Sequence, residues 1–270
     1  MDRRQILGWT LAATATAGGA GNAWGIAINA PPIKFGIEDA LVVSGFANHI
    51  QRAIGRDLGV PVDFQTGPGL DLLERARAGT LEIALTQVTE REVAMEKSGM
   101  IHTRRLVTTS SYLLVGPAAD PAGVKEAPDV LKALDRIVAA GQASPDRVAY
   151  VSHGDLNGAH ETEGGLWKAL GPRPIGTWMK QAPRKGVRAA LEMAAQLPGG
   201  GYTLVERGVW VKSKSPLKVL FENDARLQAP YFIYLPFAVR HPAGKLLAGW
   251  LTTPSGQAAV KAFSKDYRGA

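Results

Sequence analysis

The 270-residue chain contains no cysteine, which excludes disulfide bonds and thiolate metal sites. It has no internal repeat and no low-complexity segment beyond its first 30 residues, as is typical of a globular chain of one large or two modest domains. Its 31 basic residues are scattered among 24 acidic ones, without a run of five or more. No nucleic-acid partner is therefore predicted. The formal net charge of +7 indicates instead a surface that attracts anions.

Signatures of catalysis are also missing. The sequence has no Gly-x-Ser-x-Gly elbow, no zinc-protease spacing of histidines and no nucleotide-binding loop. Its five histidines are separated in sequence, and a lone histidine is a weak metal signal. The sequence therefore predicts a binding protein without metal or cofactor. An acid–base set of Glu38, Asp39 and His153 is the alternative, enzymatic interpretation.

The first 30 residues have the layout of an export signal. The pair Arg3-Arg4 precedes an apolar and small-residue stretch that ends near residues 21–23. The arginines, followed by Ile6 and Leu7, fit a twin-arginine signal, and a general secretory signal fits equally. Either route predicts a periplasmic or otherwise extracytoplasmic mature chain after cleavage. After this segment no stretch reaches the roughly 18 apolar residues of a membrane span.

Strand-like and helix-like stretches alternate from residue 31 onward. The apolar runs 33–37, 60–64 and 81–86 are predicted strands, and amphipathic helices are predicted between them. Such alternation is typical of a parallel sheet covered by helices on both faces. In these sheets the ligand lies outside the carboxyl ends of the strands. The loops expected at that edge are 38–44, 66–69 and 86–88.

A strand, a tight turn and a helix are also predicted over residues 148–170. The apolar run 148–151 is followed by Asp155 and Asn157, residue types that cap helix starts. Leu166 and Trp167 then lie at helical spacing. Such a turn directs unpaired backbone N–H groups and the positive end of the helix dipole at one point, which suits an oxyanion. An ordinary capped helix is the alternative.

Four segments form the most specific pattern in the chain: residues 66–70, 112–121, 152–160 and 201–208. Their sequences are TGPGL, YLLVGPAADP, SHGDLNGAH and GYTLVERG. In the same order, they resemble the GTGxAL loop, the FVIVGPxxDP crossover, the SRGDxSGTH turn and the AYTLTDRG segment of one family. That family is the tungstate-binding proteins, which deliver oxyanions to ABC transporters.

The resemblance implies a two-lobe α/β fold of the type II periplasmic-binding-protein kind, with parallel or mixed sheets flanked by helices. Two crossing strands, near 112–117 and 203–211, would form the hinge. Lobe 1 would comprise 31–113 and 206–270, and lobe 2 would comprise 114–205. The ligand is expected in the cleft between the lobes.

The resemblance also implies the partners. They are a small oxyanion of the tungstate or molybdate class and the permease of an ABC transporter. The binding protein would be a monomer that is peripheral to the membrane. Closure of the two lobes around the solute is the hinge motion by which a permease distinguishes a loaded protein from an empty one.

The chain departs from the family at several anion contacts. The family's first strand leads into Thr-Thr-Thr-Ser, whereas this chain has Glu38 and Asp39 there and keeps Ser44 further on. The family's anion-holding arginine falls on His153, and a threonine falls on Ala159. A carboxylate about 4 Å from a singly charged anion costs roughly 4 kcal/mol at an effective dielectric near 20. An unmodified tungstate site is therefore not expected.

The predicted ligand-binding residues combine retained and altered positions of the family. His153 is expected to act in its charged form in place of the arginine, so that anion binding weakens as pH rises through about 6.5. The two acids would point away from the cleft or be neutralised by Arg184, Lys185 or Arg188. The full set is Glu38, Asp39, Ser44, Thr66, Gly67, His153, Asn157, Gly158, Ala159 and Arg188.

Two further interpretations stay open. If the acids face the cleft, Glu38, Asp39, His153 and Asp155 would suit a cationic or amine solute, and with His160 a metal ion. His160 is otherwise expected to be a helix-start residue bonded to the backbone. Alternatively, the chain is a periplasmic accessory or sensor protein whose ligand site is altered or lost.

Overall fold

The computed structural model describes residues 31–183, 186–238 and 240–270. The expected export signal at 1–30 and the expected roles of Arg184 and Lys185 lie outside the described residues. Residues Pro31–Ala270 form one unit by their mutual contacts. Within it strands and helices alternate, as the sequence pattern predicts.

Within residues 31–97, all of which are described, three strands alternate with four helices. They are β1 (Ile33–Glu38), α1 (Asp39–Ser44), α2 (Phe46–Leu58), β2 (Val62–Gly67), α3 (Gly69–Arg77), β3 (Ile83–Thr86) and α4 (Thr89–Lys97). Strand β1 lies between β2 and β3 and pairs with both in parallel. Glu38 at the end of β1 lies opposite Gly67, and Ile37 lies opposite Leu85. The carboxyl ends of the three strands therefore reach one edge of the sheet.

Strand β4 (Ile101–Gly116) runs through the main sheet and changes partners along its length. Its first part pairs antiparallel with β9 (Gln228–Pro236), which also pairs with β3. Its second part pairs antiparallel with β7 (Thr203–Glu206) and β8 (Lys218–Phe221). The short strand β10 (Arg268–Gly269) pairs with β4 as well. The main sheet is therefore mixed, because β9 enters it against the direction of β3.

A smaller sheet follows β4 in the chain and consists of two parallel strands in the described residues. A single bridge between Tyr150 and Tyr202 connects it to the segment that leads into β7. The elements of this region are the 3-10 helix Val124–Glu126, α5 (Val130–Ala143), β5 (Tyr150–Ser152), α6 (Gly158–Leu170), β6 (Met179–Gln181), α7 (Ala189–Gln196) and α8 (Arg207–Val211). The remaining helices are the 3-10 helix Ala225–Leu227, α9 (Gly244–Trp250) and α10 (Pro254–Lys261).

Two apolar clusters hold the sheets against their helices. One joins α3 to β3 and β9 through Leu72, Ala84 and Tyr234, all of them buried. The other joins α7 to β4 and β7 through Leu191, Leu113 and Val205. The first cluster includes Val88 and the second includes Ala40, so the segments that follow β3 and β1 are attached to packed elements.

None of the described helices has the length and apolarity needed to cross a membrane.

The expected α/β architecture with a mixed main sheet is observed, but two local expectations are wrong and one helix was not predicted. The second crossing strand ends at Glu206, because the Glu206 carboxylate accepts the N–H of Val209 at 2.9 Å and caps α8. Strand β4 begins at Ile101, well before the expected residue 112. Helix α4 was not predicted, since buried Glu92 and not an apolar stripe attaches it to the sheet.

Candidate functional site

Glu38, the last residue of β1, lies at the centre of the site and is only 2% exposed. Its Oε1 accepts the backbone N–H of Gly158 at 2.7 Å, and its Oε2 accepts the backbone N–H of Gln87 at 2.7 Å. Gly158 is the first residue of α6, and Gln87 follows β3 directly. One carboxyl group therefore connects the carboxyl edge of the main sheet to the start of α6.

The local folds explain why these two N–H groups converge. Because β1 and β3 are parallel neighbours, Glu38 and Gln87 leave the sheet at the same edge. The N–H of Gly158 has no partner inside its own helix, since it belongs to the first turn of α6. The positive end of the helix dipole adds to its preference for a negative acceptor. The turn thus contributes one of the two N–H groups, that of Gly158, and the second comes from Gln87 after β3.

Glycine at two positions allows the two sides of the site to approach closely. A Cβ atom on Gly158 would lie 1.9 Å from Oε1 of Gln87, which no side chain can tolerate. A Cβ atom on Gly69 would lie 2.8 Å from Val88 and 3.2 Å from Oε1 of Glu38. In addition, the N–H of Leu70 donates to the backbone oxygen of Leu156 at 3.3 Å. The loops from the two sides are therefore in direct contact around Glu38.

Gln87 connects three elements at the site. Its side-chain oxygen accepts a hydrogen bond from the Tyr112 hydroxyl on β4, and its amide nitrogen donates to Thr162 of α6 at 3.4 Å. Gln87 is 5% exposed and Tyr112 is 2% exposed. Neither residue was among the predicted site residues, although the loop 86–88 was expected at this edge. Their positions, one after a strand end and one on the crossing strand, are the signal that could have identified them.

The charge of Glu38 is poorly stabilised in this position. Burial raises its pKa to about 8, and the N–H groups of Gly158 and Gln87 oppose this rise. The neighbouring acids Glu92 and Asp39 raise the pKa further. Among the described residues, no lysine, arginine or histidine makes a hydrogen bond or an ion pair with the Glu38 carboxyl group. In the described residues the Glu38 carboxyl group is therefore hydrogen-bonded by backbone N–H groups.

Comparison with known proteins finds relatives over most of the chain, although no family model matches it. A Haloferax volcanii protein, provisionally named an ABC transporter anion-binding protein, is 28% identical over 206 residues, which are 72% of this chain and 58% of that protein. The tungstate-binding protein TupA of Peptoclostridium acidaminophilum is 27% identical over 240 residues, which are 84% of this chain and 79% of that protein. The chain therefore spans less than two thirds of the first relative.

Tungstate-binding proteins are also found among the similar solved structures. The tungstate-binding protein TupA of Desulfovibrio alaskensis G20 has a TM-score of 0.72 and 25% identity, covering 89% of this chain and 99% of that one. The tungstate ABC transporter structure from Geobacter sulfurreducens has a TM-score of 0.74 and 24% identity, covering 86% and 98%. This chain is similar to tungstate-binding proteins over most of its length, and its fold is the type II periplasmic-binding-protein-like α/β fold expected from the resemblance. The resemblance stated from its four sequence segments is thereby confirmed.

His153, which the resemblance aligns with the family's anion-holding arginine, forms its contacts within its own segment and with β7. Its Nε2 lies 2.8 Å from the backbone oxygen of Leu204, and its Nδ1 lies 3.7 Å from Oδ1 of Asp155. Burial lowers the pKa of His153, but the hydrogen bond and charge of Asp155 outweigh this effect, so the pKa is raised. Its backbone N–H donates to Glu163 at 2.9 Å. The imidazole thus supports the turn that carries Gly158.

Asn157 caps α6 as predicted. Its Oδ1 accepts the N–H of His160 at 3.0 Å, and its Nδ2 donates to Asp155 at 2.6 Å. Asp155 therefore supports the cap without capping the helix itself. His160 bonds to the backbone oxygen of His153 at 2.7 Å, as expected of a helix-start residue. Ala159 is buried beside Gly158 and has no polar side chain to offer a ligand.

The other predicted residues lie further from the Glu38 carboxyl group or bond elsewhere. Ser44 donates to Leu41 at 3.0 Å and accepts the N–H of Phe46, so its hydroxyl serves the junction between α1 and α2. Thr66 is exposed, whereas Gly67 pairs with Glu38 in the sheet. Arg188 precedes α7 and lines a separate cavity of about 470 Å³.

Asp39 follows Glu38 but has a different environment. It is the first residue of α1 and is partly exposed. Burial raises its pKa, and the charges of Asp155 and Asp71 raise it further. The two adjacent acids therefore differ in their hydrogen bonds. The Glu38 carboxyl group accepts two N–H groups, whereas the described contacts include no side-chain hydrogen bond of Asp39.

A metal interpretation finds no geometric support in the described residues, among which no three His, Asp or Glu side chains are grouped to hold an ion. An open cavity of about 460 Å³ adjoins the site along α4 and α6. Gln87 and Thr162 lie on its wall, and so do residues of both charges, including Arg91 and Glu161.

Proposed function

We propose that this chain is the extracytoplasmic solute-binding protein of an ABC transporter and that its site takes a small oxyanion. The observation that carries the proposal is the convergence of two backbone N–H groups, from Gly158 and Gln87, on one buried acceptor. Such donors, placed at a helix start, favour an anion. The names of the two relatives, which refer to anion and tungstate binding, support the same ligand class.

The site would lie in a cleft between two lobes, comprising 31–113 with 206–270 and 114–205. The change of partners along β4 supports this division, because β9 pairs with its first part and β7 and β8 with its second. Gly158 and Glu38 would then belong to opposite lobes, and their hydrogen bond would exist only in the closed form. The hinge motion would be read by a permease, with the binding protein acting as a peripheral monomer.

Binding is favoured over catalysis because the names of both relatives refer to binding, and an anion is favoured over a cationic solute by the geometry. The two N–H groups attract negative charge, and both oxygens of Glu38 already accept them, so an amine would have to compete for these acceptors. An accessory or sensor role is a second candidate because of one observation. The Glu38 side chain itself already accepts both N–H groups of the site, as expected where an external ligand has been lost.

Calorimetry of the chain from residue 31 onward, with tungstate, molybdate, sulfate and phosphate, tests the proposal. Binding of at least one oxyanion is expected, and Gly158→Ala should weaken it, because the added Cβ atom displaces α6 from Gln87. Gly164→Ala is the matched control in the same helix, since its Cβ atom meets open space. Binding of divalent cations or amines alone would contradict the proposal. An absence of oxyanion binding, in the native chain and in variants at Glu38, would support the accessory role.

A further inference from the structure

The carboxyl group of Glu38 offers the site the same acceptor atoms as an oxyanion. Its two oxygens lie 2.7 Å from the nitrogens of Gly158 and Gln87, at the short end of the range for N–H···O hydrogen bonds. The side chain is 2% exposed, so solvent scarcely reaches these oxygens. The donors that would hold an external anion are therefore already satisfied.

A purely structural role explains this arrangement less well. Helix α6 already has its own cap, because Asn157 accepts the N–H of His160. Glu38 reaches Gly158 from 120 residues earlier in the chain, so the contact joins two distant segments. A buried carboxyl group is costly unless it is paired, and the described basic side chains form no pair with Glu38. The two N–H groups are donors that suit an anion, and a carboxyl group can occupy them in the same way. This explains why an acid lies at this position.

The segments around Glu38 pack closely in this form. The ideal Cβ position of Gly69 is 3.2 Å from Oε1 of Glu38, and that of Gly158 is 1.9 Å from Gln87. A backbone hydrogen bond from Leu70 to Leu156 also joins the segment before α3 to the turn before α6. A tetrahedral oxyanion on the same N–H groups would have to replace the carboxyl group.

We infer that the Glu38 carboxyl group is the resident acceptor of this site, an internal competitor that holds it closed in the absence of solute. The inference rests on the proposed function. It adds that a free oxyanion binds only after the Glu38 carboxyl group has left the N–H groups of Gly158 and Gln87. The native chain then binds tungstate weakly, and removal of the carboxyl group strengthens the binding.

The test compares Glu38→Ala and the nearly isosteric Glu38→Gln with Asp39→Asn. Asp39 is the matched control because it is the neighbouring acid on the chain and is partly exposed. Calorimetry with sodium tungstate at about pH 9, where Glu38 is ionised, is expected to show at least about tenfold tighter binding for Glu38→Ala than for the native chain. Asp39→Asn, which removes the same charge, should change the affinity by less than about threefold.

Amide hydrogen exchange gives a second readout that does not depend on affinity. In the native chain the amides of Gly158 and Gln87 should be protected without solute, because Glu38 accepts both. In Glu38→Ala they should exchange faster, and tungstate should restore their protection. Glu38→Gln provides the same comparison if the alanine variant folds poorly, since its amide has a single acceptor oxygen.

The possible outcomes separate this inference from the proposed function. Tungstate binding that is equally tight in the native chain and in Glu38→Ala overturns the inference and leaves the proposed function standing. An equal gain in Glu38→Ala and Asp39→Asn also overturns it, because general charge repulsion would then explain both. No oxyanion binding in any of the variants overturns the proposed function and the inference together.

Discussion

The stability of the chain is expected to fall as pH rises from about 5 to about 8, and Glu38 is expected to be a main cause. Burial raises the Glu38 pKa from the ordinary value of 4.5 to about 8. Below the ordinary value the group is protonated in the folded and unfolded chains alike. Between the two values the unfolded chain releases the proton while the folded chain keeps it, so rising pH favours unfolding.

The magnitude follows from the difference between the two pKa values. Each pKa unit corresponds to about 1.4 kcal/mol, so complete titration of Glu38 would lower the free energy of unfolding by up to about 5 kcal/mol. Glu38→Gln cannot titrate and should lose this contribution. The difference between the native chain and the variant, measured by urea unfolding at several pH values, is expected to shift steadily in favour of the variant as pH rises.

The subtraction isolates Glu38 from the other buried acids. Burial also raises the pKa values of Glu161 and Glu206 to about 7, and both residues remain in the variant. The acids that face Glu38, namely Asp39 and Glu92, remain there too. A hydrogen bond lost by the amide would shift the whole curve without changing its slope. Parallel pH curves for the two proteins would refute the reasoning.

Three further predictions concern the turn and the export segment. Gly158→Ala should destabilise the fold by about 1–3 kcal/mol through overpacking against Gln87, whereas Gly164→Ala should stabilise it by up to about 1 kcal/mol; urea unfolding compares them. His153→Ala should cost about 1–3 kcal/mol, since it removes the buried hydrogen bond between the imidazole and the Leu204 carbonyl, and unchanged stability would contradict this. Mass spectrometry of the exported native protein should show a new N-terminus between about residues 22 and 32, and an intact Met1 would contradict the signal.

The dependence of oxyanion binding on pH distinguishes the roles of His153 and Glu38. Weakening as pH rises is expected from both: His153 loses its positive charge, and Glu38 becomes a stronger competitor as it ionises. Calorimetry of His153→Ala and Glu38→Gln over the same pH range separates them. If only the His153 variant has a flat profile, the imidazole serves the anion as predicted from sequence. A flat profile in the Glu38 variant alone assigns the effect to displacement of the carboxyl group.

The parts of the fold that follow from local pattern were predictable. An amphipathic helix was expected between the first two strands, and α2 lies there with Phe46, Ile50, Ala53 and Ile54 buried. The cap of α6 by Asn157 was also correct, since capping depends on residues close in sequence. The first part of β4 was missed because its arginines and threonines hide the strand pattern. Its partner β9 lies more than a hundred residues later in the chain, so no local signal identifies the pair.

One donor of the candidate site, the N–H of Gly158, could be predicted from the sequence, but its acceptor could not. The N–H of Gly158 is available because it begins a helix, which the turn 152–160 predicts by itself. The acceptor depends on which side chain at the edge of the other sheet reaches it, and this is decided by tertiary contacts with Gln87 and Gly69. Repulsion between Glu38 and a bound anion was expected from Coulomb's law. The hydrogen bonds support the relation inferred above, in which the carboxyl group and the anion compete for the same two N–H groups.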